Sequence, residues 1–251
     1  MIIAIANQKG GVAKTTSTIA LGGLLADEGS CLVIDFDPQG NLSTGLGVKI
    51  QKGQLTAYEM LTVESQLAED VIVKTSCGVS LIPADISLAK GEKEILSEIG
   101  NTGLLKRKLA ALKGKFNHIL IDCPPSLGLL TINALAAADT VLIPVQCQFF
   151  ALEGLRQLLE TIKGVRNREV NPHLQILGIL PTMAEKNTVT TQDALTTLNT
   201  KFTGIKVFEP VPKSVQFAES NLAREPIHLY ARERKLVEPY KAIVKQLVQQ
   251  V

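Results

Sequence analysis

Short runs of apolar residues alternate along the chain with longer stretches in which apolar residues recur at helical spacing. Runs of about five apolar residues are typical of strands buried on both faces of a parallel sheet. Such runs lie near residues 2–6, 31–35, 79–82, 118–122, 140–145 and 176–181, with a shorter one near 206–209. Helical spacing predicts helices near 14–28, 85–99, 104–113, 127–138, 152–168, 189–201, 214–222 and 234–249. The alternation predicts an α/β fold, a doubly wound and mainly parallel sheet with helices on both faces.

Length and composition indicate one folded domain over residues 1–251. The chain is 45% apolar and 20% charged, which excludes a disordered protein. Only 4% of the residues are aromatic and Trp is absent, so recognition of single strands by base stacking is disfavoured. Four scattered cysteines without a C-x-x-C motif predict reduced structural thiols and a cytoplasmic setting. We expect no signal peptide and no membrane span, because the chain starts on a core strand and no apolar run approaches about 18 residues.

A glycine-rich segment between the first predicted strand and the first predicted helix carries the clearest chemistry. Residues 9–16 read Lys-Gly-Gly-Val-Ala-Lys-Thr-Thr, and this order of strand, loop and helix predicts a phosphate-binding loop. Backbone N–H groups at a helix N-terminus bind the phosphates of a nucleoside triphosphate such as ATP. We expect Lys14 to reach the β- and γ-phosphates, the Thr15 hydroxyl to bind Mg²⁺, and Thr16 to lie by the α-phosphate. The expected nucleotide-binding residues are Lys9, Gly10, Gly11, Val12, Ala13, Lys14, Thr15 and Thr16.

The loop departs from the general pattern G-x-x-x-x-G-K-[ST] at two places. Gln8-Lys9 stands where a first glycine would be, and Ala13 occupies the position before the lysine. We expect Ala13 to keep a negative φ, because a Cβ disfavours the left-handed region. Its methyl group is also expected to slow nucleotide exchange.

Three aspartates follow predicted core strands and are expected to face the loop. Asp35 and Asp122 end the runs at 31–35 and 118–122, and Asp37 comes two residues after Asp35. In open parallel sheets, ligands bind beyond the carboxyl ends of the strands. We expect Asp122 to bind Mg²⁺ through a water molecule, with Asp35 as a second candidate for the metal. Asp37 is better placed to orient or deprotonate the attacking water.

The motifs around the loop and the strand ends resemble the ParA/Soj branch of the deviant Walker A ATPases, a family that also includes MinD. The resemblance runs nearly from end to end of the chain. It rests on residues 9–16, Asp35-Phe36-Asp37-Pro38-Gln39-Gly40-Asn41, Asp122-Cys123-Pro124-Pro125-Ser126, Pro144-Val145-Gln146 and Ala151-Leu152-Glu153-Gly154.

The resemblance implies a slow ATPase that works as a dimeric clamp. ATP and Mg²⁺ would drive formation of a sandwich homodimer, in which Lys9 crosses to the phosphates bound by the second copy. By position, Asp37 matches the family's hydrolysis aspartate and Lys14 its phosphate-loop lysine, so Lys9, Lys14 and Asp37 are the expected catalytic residues. A lysine supplied in trans would neutralise developing charge much as an arginine finger does.

The resemblance also implies a cellular role. The dimer would bind non-specific double-stranded DNA, and a ParB-like or other cargo-adaptor protein would stimulate hydrolysis. The cargo would be a plasmid, a chromosome origin or a large protein assembly. The protein would then be cytoplasmic and nucleoid-associated.

Charge is unevenly distributed, and this predicts where DNA would bind. The net charge is only +2, but residues 201–251 hold nine Lys and Arg against five Glu, so the rest of the chain is slightly negative. A basic face, doubled by dimerisation, would contact DNA phosphates in a salt-sensitive way. Gln216 stands where family members commonly have arginine. The candidate DNA-binding residues are Lys186, Lys213, Arg224, Arg232, Arg234 and Lys235.

Three other functions stay open from the sequence. An apolar stripe on the last predicted helix could lie on an anionic bilayer, as in a MinD-like regulator of division-site placement. Membrane binding is less favoured, because such stripes more often pack on the protein's own core. A metabolic or metal-cluster-assembly enzyme would need a substrate pocket or paired cysteines, and a nucleotide-gated scaffold would bind ATP without turnover. The stripe comprises Leu236, Tyr240, Ile243, Val244, Leu247, Val248 and Val251.

Overall fold

The computed structural model describes residues 1–98, 100–148 and 151–250. Its strands are β1 (Ile2–Ile5), β2 (Cys31–Asp35), β3 (Val73–Lys74), β4 (Ser80–Ile82), β5 (His118–Asp122), β6 (Thr140–Gln146) and β7 (Gln175–Thr182). They form one sheet in the order β3-β4-β2-β5-β1-β6-β7. Every neighbouring pair is parallel except β3 and β4, which pair antiparallel at one edge. The predicted α/β fold with a mainly parallel sheet is confirmed; one domain over residues 1–251 stays a prediction.

The helices follow the predicted positions, with several ends displaced. Those of the described residues are α1 (Lys14–Glu28), α2 (Asn41–Gly45), α3 (Ala57–Thr62), α4 (Ser87–Ile95), α5 (Leu104–Leu109), α6 (Leu129–Ala137), α7 (Ala151–Asn167), α8 (Val189–Lys201), α9 (Gln216–Ala223), α10 (Ile227–Tyr230) and α11 (Glu238–Val248). Ile99, at the end of the predicted helix near 85–99, lies outside the described residues. The sequence did not predict α2, α3, α10 and β3, because elements this short show too little periodicity.

The prediction of a strand near 206–209 is wrong. This segment makes only an isolated bridge between Ile179 and Val207. It runs beside the edge strand β7, and the Phe208 N–H donates to the Ile179 carbonyl oxygen at 2.9 Å. Pro210 and Pro212 follow, and proline has no N–H to extend a ladder of hydrogen bonds. The segment is therefore a strap along β7 rather than an eighth strand.

Alternating side chains of the sheet fill two apolar cores, one on each face. On β1, Ala4 belongs to the core shared with α3 to α7, whereas Ile3 and Ile5 belong to the core shared with α1 and α11. The apolar stripe of α11 is part of this second core, since Tyr240 and Leu247 are fully buried. Val248 is the more exposed member of the stripe, and Val251 lies outside the described residues. None of the described helices is long and apolar enough to cross a membrane.

The strand order brings the glycine-rich loop and the three aspartates to the same edge of the sheet. The neighbours β2, β5 and β1 end side by side, with Asp35 opposite Asp122 and Asp122 opposite Ile5 in register. The glycine-rich loop leaves the sheet directly after β1, and Asp37 follows β2. Residues that are far apart in the sequence therefore meet at the carboxyl ends of three adjacent strands.

Candidate functional site

The loop after β1 takes up left-handed backbone conformations before α1 begins. Gly11 has a φ of 71° and Ala13 a φ of 64°, so the expectation that Ala13 keeps a negative φ is wrong. An L-residue in this region costs on the order of 1–2 kcal/mol. Neighbouring contacts hold the loop in place, because the Thr182 hydroxyl donates to the Val12 carbonyl oxygen at 3.1 Å. The Ser17 N–H donates to the Ala13 carbonyl oxygen at 2.9 Å as α1 starts.

Lys14 is the buried cation of this site. Its Nζ donates to the Lys9 carbonyl oxygen at 3.4 Å, so the side chain turns back under the loop. Burial lowers the pKa of Lys14, whereas the nearby Asp122 and Cys123 raise it. An ammonium group that has been moved out of water gains most from an anionic ligand close by. The position of Lys14 therefore suits a phosphate bound on the loop.

Thr15 and Asp122 form the direct link between the loop and β5. The Thr15 hydroxyl donates to Asp122 Oδ2 at 2.7 Å, and the Thr18 hydroxyl lies 3.3 Å from Oδ1. Asp122 is almost fully buried. Burial, reinforced by Asp35, raises the pKa of Asp122 to about 8, and the Thr15 hydrogen bond and Lys14 oppose this rise. A hydroxyl and a carboxylate are thus held together below the loop.

The Asp35 carboxylate accepts hydrogen bonds from residues that follow β2 in the chain. Its Oδ2 accepts hydrogen bonds from the Ser43 N–H at 2.8 Å and from the Ser43 hydroxyl at 2.7 Å, and its Oδ1 accepts one from the Asp37 N–H at 3.3 Å. Full burial raises the pKa of Asp35 to about 7. The Ser43 hydroxyl also accepts from the Ala84 N–H at 3.1 Å, which ties α2 to the end of β4. These contacts tie Asp35 to α2 and to the turn after β2, and its role as a second metal candidate stays a prediction.

Asp37 faces the cavity in front of the loop. Its Oδ1 accepts a hydrogen bond from the Gln39 N–H at 3.0 Å, which fixes the turn after β2. Asp37, Lys14 and Thr15 all line one open cavity of about 700 Å³, together with Gly10, Gly11, Ala13 and Thr16. The structure therefore brings most of the predicted loop residues and the predicted catalytic aspartate to one cavity. Val12 is buried beneath the loop instead.

Lys9 lies at the start of the loop, where its carbonyl oxygen accepts a hydrogen bond from Lys14 Nζ. Its N–H donates to Asn7 Oδ1 at 3.0 Å, and its Nζ donates to Gln146 Oε1 at 3.3 Å. The side chain is half-buried and rests against the end of β6. In the single chain, the Lys9 side chain therefore contacts residues of its own subunit.

A smaller cavity adjoins the loop on the side of β7 and was not anticipated from the sequence. It measures about 190 Å³ and meets the loop at Ala13 and Thr16. Its walls include Met183, Pro212 and Phe217. A mostly apolar space beside a phosphate site suits the base of a nucleotide. Its residues come from four separate segments, and no local motif marks them.

The donor atoms at the loop fit Mg²⁺ as part of a nucleotide complex. Thr15 and Asp122 offer a hydroxyl and a carboxylate oxygen, and oxygen is the ligand that Mg²⁺ prefers. Within residues 1–98, 100–148 and 151–250, no group of three or more His, Cys, Asp or Glu side chains could hold a metal by itself. Mg²⁺ is usually bound through one or two protein groups, substrate phosphates and water. The site therefore fits a metal that arrives with a triphosphate.

The six candidate DNA-binding residues are all exposed, but their partners differ. Lys213 pairs with Glu185 at 2.6 Å, and Lys235 pairs with Glu233 at 2.5 Å. Gln216 does not point freely into solvent: its Nε2 donates to Glu233 at 3.2 Å, and its Oε1 accepts from the Arg232 N–H at 3.0 Å. Gln216 therefore fixes the segment that carries the next basic residues. Ion pairs within the described part of the chain do not involve Lys186, Arg224, Arg232 or Arg234.

Comparison with known proteins gives a family match and relatives that are similar over nearly the whole chain. Residues 1–176 match the AAA_31 family, an AAA domain. The chain is 41% identical over 248 residues to the sporulation initiation inhibitor protein Soj of Bacillus subtilis, covering 98% of this chain and 97% of Soj. It is 40% identical over 252 residues to the chromosome partitioning protein ParA of Caulobacter vibrioides, covering 98% and 93%.

A solved structure with a different name is also similar. It is cobyrinic acid a,c-diamide synthase from Mycobacterium smegmatis with bound ADP and magnesium. The TM-score is 0.86 and the identity 35%, over 99% of this chain and 94% of the other. The family match over residues 1–176 includes the loop, Asp37 and Asp122.

Proposed function

The chain belongs to the ParA/Soj family of partition ATPases, and we propose that it hydrolyses ATP with Mg²⁺ to drive a cycle of dimerisation and DNA binding. The observation that carries the proposal is the meeting of Lys14, Thr15 and Asp37 in one cavity at the carboxyl ends of β1, β2 and β5. These are the groups needed to bind a triphosphate, to hold its metal ion and to act on water.

Nucleotide binding is the first step of the proposed cycle. Lys14 neutralises the β- and γ-phosphates, and the backbone of Gly10 and Gly11 lies against the phosphate chain at the N-terminus of α1. The Thr15 hydroxyl and, through water, Asp122 would hold Mg²⁺. Mg²⁺ would supply positive charge that stabilises the negative charge developing in the transition state. Magnesium and ADP bound to the similar Mycobacterium smegmatis protein support this assignment.

Hydrolysis depends on Asp37 and Lys9. The Asp37 carboxylate lies at the cavity wall, where it orients or deprotonates the attacking water. Lys9 acts on the phosphates bound by the second copy in the ATP homodimer, where it adds positive charge as the γ-phosphate leaves. Since this lysine reaches the reaction only in the dimer, hydrolysis is slow in the single chain.

DNA binding is assigned to the basic residues near the last two helices. Arg224, Arg232 and Arg234 are exposed and free of ion pairs within the described part of the chain, and Lys186 has the same properties. Lys213 and Lys235 are held by carboxylates and contribute less. The contacts are to phosphates, so binding is independent of base sequence and sensitive to salt.

The proposed cellular role is the positioning of a cargo. A cargo-bound adaptor of the ParB type stimulates hydrolysis and releases the dimer from DNA, so that the protein cycles on a nucleoid in the cytoplasm. The names of Soj and of ParA, a chromosome partitioning protein, support this role over others. Burial of the α11 stripe disfavours the MinD-like alternative, in which a helix lies on a membrane.

One observation favours a second candidate, a metabolic synthase. A further cavity of about 690 Å³ adjoins the ATP cavity, and both are lined by Gln39 and Thr44. The similar Mycobacterium smegmatis structure bears the name of a diamide synthase. This function would require an ATP turnover that accelerates when cobyrinic acid and an ammonium source are added. The partition relatives, at about 40% identity over nearly the whole chain, favour the first candidate.

The deciding experiment is binding to random-sequence duplex DNA at moderate salt, with ATP–Mg²⁺, with ADP–Mg²⁺ and without nucleotide. Retention only with ATP supports the cycle, and Lys14→Ala, which removes the phosphate-binding cation, should abolish it. Equal retention in all three conditions would contradict nucleotide control of DNA binding. ATP binding without DNA retention would contradict the DNA step, and co-sedimentation with anionic liposomes would then test the MinD-like alternative.

A further inference from the structure

The Lys9 side chain is held by an amide that has no part in the ATP site described above. Lys9 Nζ donates to Gln146 Oε1 at 3.3 Å. Gln146 is the last residue of β6, and it is half-buried. The Lys9 ammonium is charged but the amide oxygen is neutral, so this contact lacks the charge–charge attraction of an ion pair.

The backbone of Lys9 is fixed to the same strand end. Asn7 bridges the two segments, because its Oδ1 accepts from the Lys9 N–H at 3.0 Å and its Nδ2 donates to the Pro144 carbonyl oxygen at 2.7 Å. The main chain and the side chain of Lys9 are therefore both anchored to the end of β6.

The preceding residue is attached to α7. Gln8 Nε2 donates to Gln157 Oε1 at 2.5 Å. Gly154 of the same helix lies close to Asn7 and Gln8, since a Cβ built there would be in ordinary contact with Gln8 Cγ at 3.4 Å and Asn7 Oδ1 at 3.5 Å. The start of the loop is thus enclosed by β6 and α7, which leaves the Lys9 side chain as the part that can move without breaking backbone contacts.

We propose that Gln146 is a positioning residue that holds Lys9 on its own subunit until a second nucleotide-bound copy competes for it. The inference rests on the proposed function, in which Lys9 acts on the phosphates of the second copy. The Lys9 ammonium is charged in both contacts, but a phosphate oxygen is anionic whereas the Gln146 amide oxygen is neutral, so the phosphates of a partner's ATP attract Lys9 more strongly and displace the amide. The contact with Gln146 thereby sets how much ATP is needed for dimerisation.

Two substitutions at one position should act in opposite directions. Gln146→Ala removes the acceptor and frees Lys9. Gln146→Glu keeps the shape of the side chain and replaces the neutral acceptor by a carboxylate, which forms a charge-assisted pair and retains Lys9 more firmly. A purely structural role of Gln146 would give changes in the same direction for both variants.

The first measurement tests the hydrogen bond between Lys9 and Gln146 in the protein without nucleotide. Amine labelling of Lys9 is followed by mass spectrometry of its peptide, with the exposed Lys163 as the internal reference. We expect the Lys9 rate to rise by about twofold to tenfold in Gln146→Ala, the range that one hydrogen bond gives, and to fall in Gln146→Glu. Equal Lys9 rates in the wild type and both variants would overturn the proposal.

The second measurement reports the consequence for dimerisation. The ATP concentration for half-maximal dimer, measured by light scattering, should fall in Gln146→Ala and rise in Gln146→Glu. If the wild type dimerises with the same half-maximal ATP concentration as both Gln146 variants, the link between the Lys9–Gln146 hydrogen bond and dimerisation is overturned, while the proposed function stands. A wild type that stays monomeric at saturating ATP would overturn the proposed function, and with it the positioning role of Gln146.

Discussion

The Thr15 hydroxyl and the Asp122 carboxylate lie 2.7 Å apart, although 107 positions separate them in the chain. Thr15 lies in the first turn of α1, after the phosphate loop. Asp122 ends β5, the strand that pairs directly with β1 in the sheet. Their contact joins the loop to the sheet and places two oxygen donors where a metal ion bound to a triphosphate would be.

Thr15→Val should weaken Mg²⁺-dependent ATP binding. The substitution keeps the shape of the side chain but removes the proposed metal ligand and a hydrogen bond to the buried Asp122 side chain, which is worth about 1.5–3 kcal/mol. We expect a loss of at least about tenfold in ATP affinity with Mg²⁺. Isothermal titration with and without Mg²⁺ measures it. Thr15→Ser retains the hydroxyl and should stay close to the wild type; an unchanged Mg²⁺ dependence in Thr15→Val would contradict the assignment.

Ala13→Gly should stabilise the protein. Ala13 is held at a φ of 64°, and glycine takes this conformation without the steric cost of a Cβ. Removing about 1–2 kcal/mol of strain outweighs the extra entropy that glycine loses, so we expect a gain of up to about 1 kcal/mol. Urea unfolding without nucleotide measures it. Ala26→Gly, within α1, is the matched control and should destabilise by about 1 kcal/mol. A loss of stability in Ala13→Gly would refute the prediction.

Asp37→Ala should separate binding from hydrolysis. The hydrogen bond that Asp37 accepts comes from the Gln39 N–H and not from the loop, so ATP affinity should change little. Loss of the group that acts on water should slow single-turnover phosphate release by about 10²–10⁴-fold. The variant should then accumulate as an ATP-bound dimer, which size-exclusion chromatography detects. A hydrolysis rate equal to that of the wild type would exclude the role assigned to Asp37.

Stability without nucleotide and Mg²⁺ should fall as the pH rises from about 4 to about 7. Burial raises the folded-state pKa of Asp35 to about 7, above its unfolded value of about 3.9. The folded protein therefore binds more protons in this range, and the free energy of unfolding decreases with pH. Urea midpoints across the range should show this slope for the wild type.

The variant Asp35→Asn is the comparison for this pH dependence. An amide does not titrate, so the slope should be smaller, although one of the three hydrogen bonds that Asp35 accepts is weakened. A slope equal to the wild-type slope would show that other groups control the pH dependence. Asp122, with its pKa raised to about 8, contributes to the slope that remains.

Arg232→Ala combined with Arg234→Ala should reduce ATP-dependent DNA binding more than Lys213→Ala does. The two arginines are exposed and free of ion pairs in the described residues, whereas Lys213 must first leave Glu185. Each lost phosphate contact should lower the slope of log K against log salt by about 1, whatever the DNA sequence. Filter binding over a salt series measures it. An equal effect of Lys213→Ala would show that the ion pair does not restrain this residue.

The sequence alone determined the order of the main elements and the position of the ATP-binding loop. Buried parallel strands are read as local apolar runs, so 31–35 and 118–122 were predicted at their observed bounds. Phosphate loops require particular residues at consecutive positions, which a single segment can show. Because the strands are parallel, the sequence also placed Asp37 and Asp122 at the edge where the loop lies.

Tertiary structure decided the roles that depend on contacts between distant segments. Packing and Thr182 hold the loop around Ala13 in a conformation that its residue type disfavours. Asp35 accepts a hydrogen bond from the Ser43 hydroxyl, and Gln146 accepts one from Lys9 Nζ. None of these partners is near in the sequence, and the energy of a hydrogen bond or an ion pair depends on distances that only the folded chain sets. Periodicity and local motifs therefore specify the elements, whereas the pairing of side chains follows from the way those elements pack.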